Sequence, residues 1–367
     1  PSSITLESQV TATSSENNLL IDVSADNADP VLAAMISNTT SRVFADVVID
    51  QLERTSGDAS ARLQVSVVRP AQVPSTAVSP NVQRNLALGF LLGLLIGFGA
   101  AVLRAALDTR IRTREDVAAI TPDPVLGRIA FDPNAETHPL LVQEDPNSVR
   151  AEAFRTFRTN LQYLRVEGNP HSFVITSVGP SEGKSTTAAN LAIAIAQAGF
   201  TVCLVDGDLR KPRVAELMGI EGGVGVTDVL IQRATLDEAL QRWGVPGLFV
   251  LPAGHRPPNP SELLGSKEMT ELLALLESQF DYLIVDAPPI LAVTDAALIA
   301  KDVGGALMVV ASGTSRKEGL REALGMMNSA DARVLGIVLT MVPSKGPYGY
   351  SYYRYDYSSQ TADTSVA

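Results

Sequence analysis

Apolar positions along the chain change period from one region to the next. Between residues 31 and 54 they recur at helical spacing, at Val31, Leu32, Met35, Val43, Phe44, Val47, Val48 and Leu52, and this predicts a helix. Residues 61–69 (ARLQVSVVR) read as a strand. Residues 85–103 (NLALGFLLGLLIGFGAAVL) run for 19 positions without a charge, about what a helix needs to cross the hydrocarbon of a bilayer. Gly89, Gly93 and Gly97 would give that helix a small face suited to close packing in lipid. From residue 172 onward, short apolar runs at 173–177, 202–206, 282–286, 305–310 and 334–339 alternate with helical patterns at 188–198, 262–278 and 316–329. That alternation predicts a mostly parallel sheet with helices on both faces, and ligand sites at the carboxyl ends of its strands.

Breakers divide the chain further. Pro70, Pro74 and Pro80 make the approach to the apolar segment extended. Pro122, Pro124, Pro133, Pro139 and Pro146 predict a mostly irregular linker over 108–145. The expected organisation is an extracytoplasmic region at 1–84, a transmembrane helix at 85–107, a juxtamembrane linker at 108–145, an α/β domain at 146–345 and a disordered tail at 346–367. Arg104, Arg110, Arg112 and Arg114 follow the apolar segment, whereas Arg69 and Arg84 precede it. The excess of basic residues places the C-terminal side in the cytoplasm.

Composition narrows the function. The 367 residues are 46% hydrophobic and carry a net charge of −11, a poor basis for neutralising nucleic-acid phosphates, so no nucleic-acid partner is expected. The single cysteine, Cys203, lies in an apolar strand run and excludes an intrachain disulfide. His138, His171 and His255 are scattered and suggest no metal cluster.

Chemistry concentrates at strand ends. The strand at 173–177 runs into Val178-Gly-Pro-Ser-Glu-Gly-Lys-Ser-Thr186 and then a helix, the context that makes a P-loop. Gly179, Pro180, Ser181, Glu182, Gly183, Lys184, Ser185 and Thr186 would cradle the phosphates of ATP with their amides and the helix N-terminus. Lys184 reaches the outer phosphates, and the Ser185 hydroxyl ligates Mg²⁺. The strict pattern wants glycine where Val178 stands. A second apolar run ends in Asp206-Gly-Asp208-Leu-Arg210. Its two carboxylates, spaced by two, can point the same way, which suits a metal and a nucleophile's proton. A third run ends in Asp286-Ala-Pro-Pro289, and Asp286 would hold Mg²⁺ directly or through water. Finally, Tyr348, Tyr350, Tyr352, Tyr353, Tyr355 and Tyr357 crowd into ten positions near the C-terminus with no burial period. Beside an ATP site they read as phospho-acceptors, each gaining nearly two negative charges.

These residues together resemble the bacterial tyrosine kinases of capsule and exopolysaccharide assembly, fused to the C-terminal part of a chain-length-determinant membrane region. The resemblance rests on GPSEGKST, on Asp206, Asp208 and Arg210, on Asp286 and Pro289, on Pro257 to Leu264, and on the tyrosine-rich tail. It implies a P-loop NTPase of the ParA/MinD type, preceded by a transmembrane helix and a partial α/β extracytoplasmic region. It implies a non-specific protein-tyrosine kinase that uses ATP and Mg²⁺ and phosphorylates its own tail. Asp206 would take the tyrosine proton. Asp208 and Asp286 would serve Mg²⁺ with Ser185. Lys184 would stabilise the transferred phosphate, and Arg210 would support the site. Glu152, Arg155 and Arg158 resemble the family's oligomerisation motif and lie on one helix face at i, i+3 and i+6. The motif implies a ring, expected to be an octamer, in which one tail enters a neighbour's site. Further implied partners are the plasma membrane, the polysaccharide polymerase and export machinery, and a protein-tyrosine phosphatase. The family also has a first span, here expected upstream of Pro1, and activation in cis by residues of about 104 to 120. Two other readings remain. One is a partitioning or cell-division ATPase, whose signature lysine would stand at Gly179. The other is an ATP-binding copolymerase regulator without phosphotransfer. Electron-transfer or metal-insertion ATPases need cysteines that this chain lacks.

Overall fold

The computed structural model describes residues 6–14, 19–55, 65–133, 135, 139–146, 148–164 and 171–343. The chain divides into two units, Pro1–Ala105 and Ala106–Ala367. In the first, β1 (Val10–Ser14) and β2 (Ile21–Ala25) form an antiparallel hairpin that the thin apolar pattern did not announce. A helix spans Pro30–Thr55, as the spacing predicts. Asp29 starts it, with Oδ1 accepting from the amide of Val31 at 2.8 Å, and Pro30 sits where no amide is needed. Val31, Leu32, Met35, Val43, Phe44 and Val47 stay exposed on it. The strand expected over 61–69 is not formed in its described part, residues 65–69, and residues 61–64 lie outside the described set.

The apolar segment forms one helix, Val82–Ala106. The most apolar 18 residues within Val82–Arg104 have a mean hydropathy of 2.5 and are 0% buried. The helix is long and apolar enough to cross a membrane and starts three residues before the predicted boundary.

The second unit is built on an eight-stranded sheet in the order β3-β10-β9-β4-β8-β5-β7-β6. The strands are β3 (Val125–Ala130), β4 (Ser172–Ser177), β5 (Val202–Asp206), β6 (Gln241–Arg242), β7 (Leu248–Leu251), β8 (Tyr282–Asp286), β9 (Ala306–Ala311) and β10 (Val334–Val342). All neighbours are parallel except β6 against β7. Alternate strand residues feed two cores, one on each face. Val174, Cys203, Val205, Leu283 and Val285 belong to one; Phe173, Ile175, Leu204, Tyr282 and Ile284 belong to the other. Strands buried on both faces read as continuous apolar runs, which is why β4, β5 and β8 were legible.

The linker expected over 108–145 needs correction. It contributes β3 at the sheet edge, a capped turn of helix at Arg114–Ala118, and the buried side chains of Ile111, Val117 and Leu126. Pro122 and Pro124 delimit β3 instead of dissolving it, because proline is tolerated next to an edge strand. The α/β unit therefore begins near residue 106 and not at 146. The helix expected over 262–278 is two, Pro260–Leu264 and Lys267–Gln279, parted at Gly265.

Candidate active site

The central strands β4, β8 and β5 lie side by side, and each ends in one of the sequence motifs. Register pairs Asp206 with Asp286 and Ile175 with Asp286, so the P-loop and both acidic motifs meet at one edge. The chain crosses to opposite sides of β4 after β4 and after β8, the switch point at which open α/β sheets bind ligands.

Local backbone makes the loop possible. Gly183 precedes the helix Lys184–Ala196 in a left-handed conformation, φ 85°, which glycine adopts without a Cβ penalty. Gly207 separates the two acidic residues of the second motif. A Cβ there would come within 2.8 Å of Val285 Cγ1 and 3.0 Å of the Asp286 carbonyl, so only glycine lets the turn lie against β8.

Lys184 stands between the acidic motifs. Its Nζ is 3.0 Å from Asp208 Oδ2 and 3.2 Å from Asp286 Oδ2. Burial pulls the Lys184 pKa down, and the Asp286 and Asp208 carboxylates outweigh it, so the ammonium is held above its ordinary range. Ser185 Oγ donates to Asp286 Oδ2 at 2.5 Å. Burial raises Asp286, against the pull of Lys184 and Ser185. Asp206 is fully buried; Oδ2 accepts from the amides of Arg213 and Val214 at 3.1 and 3.0 Å, and Oδ1 from that of Asp208 at 3.2 Å. Burial, and then the Asp286 carboxylate, push Asp206 up to about 7. Thus Lys184, Ser185, Asp206, Asp208 and Asp286 gather as one cluster.

Arg210 turns away from it. Its Nε donates to Asp295 Oδ2 at 2.8 Å and its Nη2 to Ser261 Oγ at 2.7 Å, and Ser261 Oγ donates to Asp295 Oδ1 at 2.7 Å. The Asp295 carboxylate holds Arg210 above its ordinary pKa. Arg210 therefore fastens the acidic loop to the stretch Pro257–Leu264 and to the helix Asp295–Asp302. Sequence reasoning missed Asp295, whose only signal is an acidic residue in a helix's first turn.

On the helix Val149–Gln162, Glu152 and Arg155 pair at 3.0 Å, and Arg155 Nη2 also donates to the carbonyl of Pro146 at 2.6 Å. Arg158 differs: its Nη1 donates to the carbonyl of Ala194 at 2.9 Å, so it is spent inside the unit. Tyr348, Tyr350, Tyr352, Tyr353, Tyr355, Tyr357 and His138 lie outside the described residues.

Among the described residues, no three carboxylate, imidazole or thiol side chains close on one point. A hydroxyl from Ser185 with carboxylates from Asp208 and Asp286 is the donor set that suits Mg²⁺. That ion takes hard oxygens and keeps few protein ligands, with phosphate and water filling the rest.

A strand-to-P-loop-to-helix unit with two acidic strand ends on a parallel sheet defines a P-loop NTPase of the ParA type, and residues 170–353 match the ParA family model, described as NUBPL iron-transfer P-loop NTPase. The chain is 39% identical to the tyrosine-protein kinase YwqD of Bacillus subtilis over 58% of its own length and 90% of that relative. It is 30% identical to the tyrosine-protein kinase etk of Escherichia coli strain K12 over 84% of its own length and 45% of etk. It thus spans about half of the longer relatives. Among solved structures, the kinase domain of Escherichia coli ETK matches with a TM-score of 0.59 at 29% identity, covering 65% of this chain and 96% of that one. The chimerical protein CapA2B2 matches with a TM-score of 0.59 at 36% identity, covering 63% of this chain and 100% of that one. This chain belongs to the bacterial tyrosine kinases.

Proposed function

We propose that the protein is a membrane-anchored, ATP-dependent autokinase that phosphorylates tyrosines of its own C-terminal segment. The observation that carries this reading is the cluster of Lys184, Asp208 and Asp286 within 3.0–3.2 Å at the ends of adjacent strands, beside buried Asp206. Amides of Gly179 to Thr186 bind the phosphates of ATP, and Lys184 leaves the carboxylates for the outer phosphates. A tyrosine Oη attacks the γ-phosphorus, the bond between that phosphorus and the β–γ bridging oxygen breaks, and ADP departs. Asp206 takes the phenolic proton, a task suited to a carboxyl near neutral pKa. Ser185, Asp208 and Asp286 would hold Mg²⁺, which would supply neutralising charge to the phosphates. Positioning and electrostatics carry the rate, with no covalent enzyme intermediate.

The acceptors are Tyr348, Tyr350, Tyr352, Tyr353, Tyr355 and Tyr357, offered to a neighbouring subunit within a ring. Glu152, which is exposed, and Arg155, which is half-buried, make the contact. The kinase unit lies in the cytoplasm, a reading that the basic flank after the apolar helix supports. The biological output is control of polysaccharide chain length and export, with a phosphatase resetting the tail.

The full chain in detergent micelles, incubated with ATP and Mg²⁺, tests the reading by mass-spectrometric mapping of phosphate. Phosphotyrosine in residues 348–357, reduced at least about a hundredfold in Lys184→Met and Asp206→Asn, is expected. ATP hydrolysis without phosphotyrosine would replace it with an ATP-binding regulator.

A further inference from the structure

The first turn of the helix Val149–Gln162 holds an arginine with two unpaired donors. Arg150 is the second residue of that helix and is 8% exposed. Its Nη1 pairs with Asp132 Oδ2. Its Nε and Nη2 are buried with no hydrogen-bond partner among the described residues. These two nitrogens form one edge of the planar fork, the edge that grips a carboxylate or a phosphate with two parallel bonds. Arg210 shows the same edge in use, with Nε and Nη2 donating to the two oxygens of Asp295 at 2.8 and 3.3 Å. Donors that have lost water and gained no acceptor are costly, so Arg150 is set for an oxyanion beyond Asp132. Burial pulls its pKa down to about 10, which leaves the guanidinium charged at neutral pH.

The surroundings favour a doubly charged ligand, and the chain path supplies one. Ser148 Oγ accepts from the amide of Ala151 at 3.1 Å. The amides of Val149 and Arg150, ahead of it, have no carbonyl within the helix to bond. They and the helix dipole add positive potential at the same end. Asp132 brings one negative charge, whereas a phosphate monoester brings nearly two and three acceptor oxygens. Asp132 follows Phe131, whose amide donates to the carbonyl of Val342 at 2.8 Å. Val342 ends β10, and Tyr348 follows it by six residues, a reach of about 20 Å when extended. A tyrosine so tethered lies within reach of Arg150. The tether holds its local concentration near about 1 mM, so a site with a dissociation constant of about 0.1 mM would be about nine-tenths filled.

We propose that Arg150 and the first turn of the helix Val149–Gln162 form a phosphotyrosine site that receives phosphorylated Tyr348 of the same chain. The choice of occupant rests on the reading of the C-terminal tyrosines as phospho-acceptors. The phosphate takes the Nε and Nη2 bonds that the buried side chain lacks. Arg150 turns outward to meet it at the helix start, where Val149 is 63% exposed, and its two unpaired donors lower the cost of that turn. The site reads the modification, because an unmodified phenol has no charge with which to draw Arg150 from Asp132. A docked phosphotyrosine parks the tail on its own subunit, two positions from Glu152, and withdraws it from a neighbour's active site.

The test uses the full chain in detergent micelles, stripped of phosphate by a phosphatase. The probe is a fluorescent peptide of residues 345–351 phosphorylated at Tyr348, and the readout is anisotropy. The parent is expected to bind it with a dissociation constant of about 0.1 mM. Arg150→Met keeps the apolar stem and should weaken binding at least about tenfold. Arg150→Lys keeps the charge without the two-pronged edge and should stay at least about threefold weaker than the parent. Asp132→Asn removes the competing carboxylate and should tighten binding about threefold. The unphosphorylated peptide should not saturate the chain up to about 1 mM. Parental affinity in Arg150→Met overturns the proposal, and so does equal binding of the unphosphorylated peptide. Should thermal melts show Arg150→Met unfolded, Arg150→Lys and Asp132→Asn carry the test with their opposite signs. In the self-phosphorylated parent, a phosphatase should clear Tyr348 at least about threefold more slowly than in Arg150→Met, at any protein concentration. Protection that vanishes on dilution overturns docking within one chain. A chain that takes the synthetic peptide through Arg150 yet makes no phosphotyrosine with ATP removes the autokinase reading and leaves the site. A chain that makes phosphotyrosine but binds the peptide no better than Arg150→Met removes this inference alone.

Discussion

Two helices of this protein are apolar almost all round and meet opposite fates. The helix Val82–Ala106 has none of its hydrophobic window buried. In the helix Lys184–Ala196, every residue from Thr187 to Ala196 is buried, between the sheet and its neighbours. Apolar content by itself does not separate them, although leucine dominates the first and alanine the second. Length and ends do. The first is 25 residues long with Arg84 and Arg104 near its termini, and the second is 13 residues long with a left-handed glycine and Lys184 at its start. A helix that is apolar on all sides needs either lipid or a protein core. Its span against the bilayer thickness decides which.

The comparison can be broken by exchanging like mutations between the helices. Leu191→Ala in the buried helix is expected to cost about 2–5 kcal/mol, through a cavity that the packed surroundings fill only in part. Thermal melting of the detergent-solubilised chain should show it. Leu94→Ala in the exposed helix should leave the melting of the α/β unit where it was, and an equal shift from both would mean that the Val82–Ala106 helix packs in a protein core. Leu94→Arg places a charge mid-helix and should disfavour insertion by about 2.5–3.5 kcal/mol. Alkaline extraction of membranes would report it, and an unchanged retained fraction would remove the membrane reading.

A smaller effect sharpens the contrast from the side of the acidic cluster that the buried helix supports. The Asp206 pKa lies at about 7, above the ordinary aspartate value of 3.8. The folded state therefore binds this proton more tightly than the unfolded state does. The associated stabilisation is complete below the ordinary value and is lost as pH rises through about 7. The nucleotide-free chain should lose this stabilisation as pH rises from about 4 to about 7, and Asp206→Asn should flatten that slope in denaturant titrations. The smallest expected change is Asp295→Asn. Its partner Arg210 has a side chain 38% exposed, so solvent screens the pair and the loss should be about 1 kcal/mol. A loss several times larger would show that the clasp between the acidic loop and the helix Asp295–Asp302 bears more of the fold than its exposure suggests.

The sequence by itself determined the apolar helix, the central strands β4, β5, β8, β9 and β10, and the membership of Lys184, Ser185, Asp206, Asp208 and Asp286 in one site. Each of these is a local signal: a charge-free run of bilayer length, an apolar run buried on both faces, or a motif at a strand's end that the parallel topology must bring to one edge. Only the tertiary structure decided that Val125–Ala130, within the expected linker, joins the sheet, because an edge strand such as β3 shows a weak pattern and its flanking prolines look like breakers. Only the fold sent Arg210 to Asp295, 85 residues away in sequence, and Arg158 inward to Ala194. It alone joined Glu182 to Ser315 across 133 residues. Such partners are set by which loops the sheet order makes adjacent, and strand order is not written in the period of any one segment.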